Sequence, residues 1–252
     1  MTYNKPMVVA KADLKMALEV RYVKYSMLFA GLMGPILIVA MIAIIIPIMP
    51  PSELGFMIAF LNPMIAPLLA MFAVIPTTLI SANALVGERE LKTMEPLLCT
   101  PLTDRELLWG KTLGSVIPSF AILIGSTVVT LVASTITFLM IGVTPVMMPD
   151  LPGLFLIMTS APLMIFAIVG IMIIISGRVS RVYEAYQSSG MLVIIFMIPM
   201  FLPWIGLETG LPMVDYAWFA SILTLLITAT IFVVAWAIAF KQFNRDHLVS
   251  MV

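Results

Sequence analysis

The chain has little charge for its length. Of its 252 residues, 10% are Asp, Glu, Lys or Arg, whereas 62% are hydrophobic. A soluble domain is about a quarter charged, so this chain has too little polar surface to cover a water-soluble core. A lipid bilayer is the solvent that suits it. The net charge is zero, which gives no reason to expect a nucleic acid or an acidic partner.

Cysteine and histidine are almost absent. Cys99 is the only cysteine, which excludes an intramolecular disulfide and a cysteine metal cluster. His247 is the only histidine, which excludes a metal site built on imidazoles. The sequence has no HExxH motif, no paired carboxylates within an apolar run and no His or Cys in the middle of one, so an intramembrane enzyme is the weakest hypothesis. We expect no catalytic residue, and no metal or cofactor bound by this chain.

Long apolar runs are what the chain has instead. A spanning helix needs about 20 apolar residues, and six runs qualify, namely residues 27–49, 55–82, 113–141, 153–176, 189–205 and 216–240. The runs are continuously apolar, whereas the strands of a membrane barrel alternate. The sequence therefore predicts an all-α integral membrane protein, a single domain over residues 1–252 with six transmembrane helices.

Basic residues are absent from one side of the predicted membrane. All thirteen Lys and Arg fall before the first run, between the second and third, after the fourth or after the sixth. The opposite side carries only acidic residues, namely Glu53, Asp150, Glu208 and Asp215. The positive-inside rule then predicts that both termini and residues 88–111 lie in the cytoplasm. We expect a multi-pass protein of the plasma membrane.

Two further segments are predicted to lie at the membrane surface. Residues 7–25 carry an apolar stripe at helical spacing, formed by Met7, Ala10, Leu14, Ala17, Leu18 and Tyr25. The stripe predicts an amphipathic helix lying on the membrane, although Arg21 falls inside it. The first 25 residues are too charged, and the run after them too long, for a cleavable signal peptide. Residues 199–215 mix prolines, glycines and acids, which fits either a re-entrant segment or an ordinary loop.

A charge-rich stretch, GERELKTMEPLLCTPLTDRELLWGKT, occupies residues 87–112. At the bilayer centre each charged side chain costs roughly 2.5–3.5 kcal/mol, so this stretch must lie outside the hydrocarbon. Leu91, Met94 and Leu98 recur at helical spacing and predict a first short helix, which Pro96 should bend near Glu95. Thr103-Asp104-Arg105-Glu106 then predicts a capping box that opens a second helix leading into the third span. A solvated hairpin and a docking element fit this pattern equally well.

The stretch ends in Gly110-Lys111-Thr112, the tripeptide that closes a nucleotide-binding P-loop. A P-loop also needs a glycine five positions earlier and an upstream strand. Position 105 is Arg and the context is helical. The chain is therefore not predicted to bind ATP itself.

The charge-rich stretch resembles the signature of ABC-2 type transporter permeases. The matching residues are Glu88-Arg89-Glu90, Thr93, Glu95, Leu97-Leu98, Thr100-Pro101, Glu106 and Gly110-Lys111. The amphipathic first helix, the six spans, the cytoplasmic termini and the irregular segment before the last span are also similar to that family. Two residues depart from it: Lys92 stands where the family often has glycine, and Pro96 interrupts a helix that many members continue.

This resemblance implies a transport subunit and not an enzyme. It implies two permease copies, as a homodimer or with a close homologue, paired with two ATP-binding subunits that carry ATP and Mg²⁺. Their closure would move a cytoplasmic coupling-helix hairpin and expel a substrate outward by alternating access. Carried over residue by residue, it assigns ATPase coupling to Glu88, Arg89, Glu90, Thr93, Glu95, Leu97, Leu98, Thr100, Pro101, Asp104 and Arg105. Membrane lipids are the remaining expected partner, and nucleic acid is not one.

No ionisable residue lies in the middle of a predicted span, which argues against proton- or ion-driven transport. Small and hydroxylated residues instead share faces of several spans. Such faces fit close helix packing or a translocation path, and their polar members are Asn62, Thr77, Ser81, Ser119, Ser126, Thr130, Thr137, Ser221, Thr224 and Thr228. As a path they would suit an amphipathic or lipid-like substrate. Two functions stay open on the residues alone: the permease of an ABC exporter, and a non-transporting membrane anchor or regulatory subunit that docks a cytoplasmic partner.

Overall fold

The computed structural model describes residues 5–87, 103–176, 179, 181–197, 201 and 213–242. Throughout these residues the regular structure is helical. A π-helical turn, Asn83–Gly87, extends the third helix, and a 3-10 segment, Met191–Phe196, follows the seventh. The helices are α1 (Lys5–Glu19), α2 (Arg21–Ile48), α3 (Leu54–Ala82), α4 (Asp104–Ile141), α5 (Leu151–Met158), α6 (Ser160–Ser176), α7 (Val182–Gly190) and α8 (Met213–Gln242).

The described part of the chain contains five helical segments that are long and apolar enough to cross a membrane. They are Arg21–Ile48, Leu54–Gly87, Arg105–Ile141, Leu151–Ser176 and Val214–Lys241. The chain is thus an all-α, multi-pass membrane protein. The segments overlap the predicted runs one to four and six, whereas the predicted run 189–205 lies partly outside the described residues.

Local sequence signals set the ends of α4. The predicted capping box is confirmed: Thr103 Oγ1 accepts a hydrogen bond from the Glu106 N–H, and Glu106 Oε2 accepts one from the Thr103 N–H at 2.8 Å. The helix ends at Gly142, whose φ of 79° is left-handed and carries no Cβ penalty for glycine. A single helix of 38 residues therefore joins the charge-rich stretch to the opposite membrane face.

The first helix ends earlier than residues 7–25 suggest. Val20 adopts an extended conformation between α1 and α2, and Arg21 already belongs to the first membrane-spanning helix. The face that α1 buries consists of Val9, Ala10, Asp13 and Ala17, and it shares only Ala10 and Ala17 with the predicted stripe. It packs chiefly on α4.

Helix α3 occupies the centre of the bundle and contacts α2, α4, α5, α6 and α7. Its buried face is rich in alanine, which suits a membrane protein because small residues permit close packing without a hydrophobic driving force. Helix α8 packs along α6, where the Trp236 indole N–H donates to the carbonyl oxygen of Phe166 at 3.0 Å. Outward faces of α2, α4 and α8 expose large apolar side chains, as a lipid-facing surface requires.

Candidate functional site

The two described ends of the charge-rich stretch meet in one cluster, which we call the basal node. The basal node consists of residues 5–13, 83–87 and 103–114. It joins α1, the π-helical turn after α3 and the first turns of α4. Residues 88–102 join Gly87 to Thr103 along the chain, so a force applied to them reaches α3 and α4 through the backbone of this cluster.

Helix α1 crosses α4 at two glycines of the basal node. A Cβ added to Gly110 would lie 2.6 Å from Val9 Cβ and 3.0 Å from the Pro6 carbonyl oxygen. One added to Gly114 would lie 3.2 Å from the Ala10 carbonyl oxygen. Gly-x-x-x-Gly spacing is the pattern by which membrane helices approach backbone to backbone. This spacing was the signal in the sequence that could have located the contact.

Lys111 links α4 to the end of α3 through a hydrogen bond. Its side chain is 5% exposed, and Nζ donates to the carbonyl oxygen of Ala84 at 2.5 Å. Carbonyls at the end of a helix lack intrahelical partners, so the ammonium satisfies a group that would otherwise need one. The Gly-Lys-Thr tripeptide therefore serves helix packing: Thr112 is fully buried and donates to the Leu108 carbonyl oxygen at 2.8 Å.

Other charges of the node lie at the contact between α1 and α4. Asp13 is 6% exposed and faces Gly114. At the edge of the node, Lys5 Nζ and Glu106 Oε1 are 3.8 Å apart. This second pair is partly exposed, so solvent screening limits its contribution to at most about 1 kcal/mol. The stability of the node therefore comes mainly from packing.

Two of the predicted coupling residues lie within the described part of the chain. Asp104 and Arg105 form the first turn of α4, and Arg105 is exposed. The remaining coupling residues fall outside the described residues, and they are Glu88, Arg89, Glu90, Thr93, Glu95, Leu97, Leu98, Thr100 and Pro101. The assignment of all eleven to ATPase coupling stays a prediction.

The hydroxylated faces predicted in α3 and α4 meet inside the bundle. Thr77 Oγ1 donates to Ser119 Oγ at 2.7 Å, and Ser119 Oγ donates in turn to the Ser115 carbonyl oxygen at 3.0 Å. Ser126 and Thr137 bond carbonyls of their own helix. The Thr77–Ser119 bond joins two helices, as close helix packing leads one to expect, whereas the other bonds stay within α4.

The hydroxyls of α8 behave similarly. Ser221 Oγ donates to the Pro152 carbonyl oxygen of α5 at 3.1 Å, whereas Thr224 and Thr228 bond carbonyls of α8 itself. Ser81 and Thr130 differ, since their buried hydroxyls have no hydrogen-bond partner among the described atoms. For the whole set, a role in a translocation path stays a prediction.

Asn62 holds the turn between α4 and α5. Its Nδ2 donates to the Met147 carbonyl oxygen at 3.2 Å, and its Oδ1 accepts from the Asp150 N–H at 3.0 Å. The Asp150 carboxylate accepts from the Gly153 N–H and caps α5. Burial raises the pKa of the Asp150 carboxyl above its ordinary value, and the hydrogen bond from Gly153 opposes this rise in part. The amide thus finds its partners in a turn that it anchors.

Metal binding has no candidate in the described part of the chain. Among those residues, no group of three or more His, Cys, Asp or Glu side chains is placed to hold a metal ion.

Comparison with known proteins identifies the family. A family model described as "ABC-2 family transporter protein" matches residues 7–213. The match extends from α1 to the start of α8 and includes all of the basal node except residues 5 and 6. A search of the curated proteins finds no match. The chain therefore belongs to the ABC-2 family and is a membrane permease of the ABC transporter type.

Proposed function

We propose that this chain is the permease subunit of an ABC exporter, driven by a separate ATP-binding subunit that docks on residues 88–105. Two copies of the permease, identical or closely homologous, pair with two ATPase subunits that bind ATP and Mg²⁺. The permease crosses the plasma membrane six times, with residues 189–205 as its fifth span and both termini in the cytoplasm. It moves an amphipathic or lipid-like substrate outward.

The basal node is the observation that carries this proposal. Residues 88–102 connect Gly87, at the end of the π-helical turn, to Thr103, the cap of α4. The bond between Lys111 and the Ala84 carbonyl holds these two helices together at their base. A subunit that grips the stretch would consequently move α3 and α4 as a pair and, through Gly110, would move α1 with them.

The free energy of a conformational change indicates how strongly the ATPase subunits must act on the permease. Shifting a two-state equilibrium from 1:99 to 99:1 requires about 5.5 kcal/mol of differential binding. An ATPase pair that closes on ATP can transmit such a free-energy difference only if the residues that it contacts are rigidly connected to the spans. The close α1–α4 packing and the buried Lys111 supply a base of this kind.

Charge distribution supports both the orientation and the energy source. With six spans, all Lys and Arg fall in segments on the same predicted side of the membrane as the basal node. The positive-inside rule assigns this side to the cytoplasm, where ATP is available. In the five described candidate spans, every Asp, Glu, Lys or Arg lies near a helix end. A transporter driven by protons or ions usually needs such a residue at mid-membrane, so an external motor is favoured.

Co-purification with an ATP-binding subunit tests the proposal. The tagged wild-type chain should retain an ATP-binding subunit in detergent, and Glu95→Lys should reduce its retention at least about tenfold, as loss of a buried interface charge does. Glu19→Lys makes the same charge change at an exposed position on the same membrane side and should leave retention unchanged. If no ATP-binding protein is retained, or Glu95→Lys behaves like Glu19→Lys, the docking assignment is wrong.

Transport itself requires a second assay. Proteoliposomes that hold the complete complex and a fluorescent phospholipid analogue should move the analogue faster with ATP than with ADP. Retention of the ATPase without ATP-dependent movement of this or any other amphipathic cargo would favour a docking anchor over an exporter.

A further inference from the structure

A groove of about 770 Å³ opens between α2, the end of α3 and α7. This volume lies in the range that accommodates a ligand of moderate size. Phe29, Ile75 and Leu79, which lie deeper in the spans than the other lining residues, form an apolar part of the groove. Polar and aromatic side chains line the other part, which lies on the same side of the membrane as the basal node.

The polar part offers hydrogen-bond donors in a fixed arrangement. Asn83 Nδ2 donates to the Tyr22 hydroxyl oxygen at 3.3 Å and to the Leu79 carbonyl oxygen at 2.8 Å. Because the Tyr22 oxygen accepts a hydrogen bond from the amide, its own O–H can point elsewhere and donate. Tyr183 and Tyr186 of α7 line the same part of the groove. Tyrosines with an apolar ring and a polar tip are typical of the membrane interface.

Arg181 gives this part of the groove its charge. Among the described lining residues it is the one with a formal charge. Its side chain is exposed, and its guanidinium makes no ion pair or hydrogen bond with the described part of the chain. A guanidinium presents five N–H donors in a planar fork that matches phosphate. The groove therefore combines an anion-binding end with an apolar wall.

We propose that this groove binds one anionic phospholipid of the leaflet on the basal-node side. The phosphate group lies at Arg181 and Tyr22, and an acyl chain lies along Phe29, Ile75 and Leu79. A soluble anion would leave the apolar wall without a partner. A zwitterionic phospholipid would bring a cation close to the guanidinium, and that cation would offset the attraction of its phosphate. An anionic phospholipid provides a partner for both the guanidinium and the apolar wall, because one molecule carries a charged headgroup and an acyl chain.

This site does not depend on transport. It requires only the permease chain in a lipid environment, so it can be measured without ATP or an ATPase subunit. Failure of the exporter proposal would leave it standing, and failure of the lipid site would not affect ATPase docking.

Native mass spectrometry of the full-length chain tests the site. The protein is purified into detergent, exposed to equimolar phosphatidylglycerol and phosphatidylcholine, and the retained lipid is counted. We expect one phosphatidylglycerol in preference to phosphatidylcholine. Arg181→Gln should lower the apparent affinity for phosphatidylglycerol about tenfold or more, the effect of losing a charge-assisted hydrogen bond. Arg181→Lys keeps the charge but loses the planar fork of donors, so its apparent affinity should lie between those of the wild type and Arg181→Gln.

Lys241→Gln is the matched control, because Lys241 is an exposed cation at the same end of the bundle that does not line the groove. It should retain phosphatidylglycerol as the wild type does. Equal losses in Arg181→Gln and Lys241→Gln would mean general attraction to anionic lipid and would overturn the proposal. Equal retention of both lipids, or displacement of the lipid by inorganic phosphate alone, would also overturn it. So would full retention of phosphatidylglycerol in Arg181→Gln, which is expected if a second permease copy covers the groove. Unchanged melting temperatures establish that the variants are folded.

Discussion

A methyl group at Gly110 should force α1 away from α4. In Gly110→Ala the new Cβ would lie 2.6 Å from Val9 Cβ and 3.0 Å from the Pro6 carbonyl oxygen. Both neighbours are fixed to the α1 backbone, so a side-chain rotation cannot relieve the overlap. The whole of α1 must shift outward, and its buried face must lose contact with α4.

Two opposing effects set the size of the change. Overpacking a tight contact typically costs about 1–3 kcal/mol. Replacing glycine by alanine inside a helix returns up to about 1 kcal/mol through helix propensity. The clash should prevail at Gly110, because relief requires movement of a helix, and the variant should be destabilised by about 1–2 kcal/mol.

Two other glycines of α4 provide the controls. Gly125→Ala meets nothing within 4 Å and should be neutral or slightly stabilising. Gly114→Ala should fall between the two, because its Cβ would lie 3.2 Å from the Ala10 carbonyl oxygen. Thermal unfolding of the three variants in one detergent, followed by far-UV circular dichroism, measures the order. Equal melting temperatures for Gly110→Ala and Gly125→Ala would refute the close approach of α1 to α4.

Two further predictions concern the turn between α4 and α5. Asn62→Ala should lower the free energy of unfolding by about 1–3 kcal/mol, because it leaves the Asp150 N–H and the Met147 carbonyl without their partner; a melting temperature equal to that of the wild type would contradict this. Burial raises the pKa of Asp150, so the folded chain holds that proton more tightly than the unfolded chain does. Stability should consequently fall as the pH rises from the ordinary aspartate pKa through the raised one, whereas Asp150→Asn, which keeps a cap on α5, should remove this pH dependence. Melting temperatures measured across the acidic range test it, and parallel pH profiles for the two proteins would contradict it.

Features with short-range causes could be predicted from the sequence. The capping box at Thr103 depends on contacts between residues three positions apart, so its pattern is visible in the sequence itself. The apolar runs and the one-sided distribution of basic residues depend on the bilayer and on no particular tertiary contact. These signals predicted an all-α membrane protein and the start of α4 within the charge-rich stretch.

Features with long-range causes were missed or only half predicted. The need of Asn62 for partners follows from its chemistry, but its partners lie 85 and 88 positions away. Lys111 is the last charge of the charge-rich stretch, and no local pattern indicates that its side chain is buried against the carbonyl of Ala84, 27 positions earlier. Periodicity alone does not distinguish lipid from another helix, so the sequence did not reveal the contact of α1 with α4. That the stripe of α1 faces lipid stays a prediction.

The single native cysteine offers the most direct test of the central claim, that the charge-rich stretch faces the cytoplasm and is held by an ATP-binding subunit. Cys99 lies within that stretch, and Cys99→Ser combined with Ser52→Cys moves the only thiol to the opposite membrane side. A membrane-impermeant maleimide should label Cys99 in inside-out vesicles and not in right-side-out ones, the moved thiol should show the reverse, and bound ATPase should protect Cys99. Labelling of Cys99 from the outside, or labelling that the ATPase does not slow, would contradict the account.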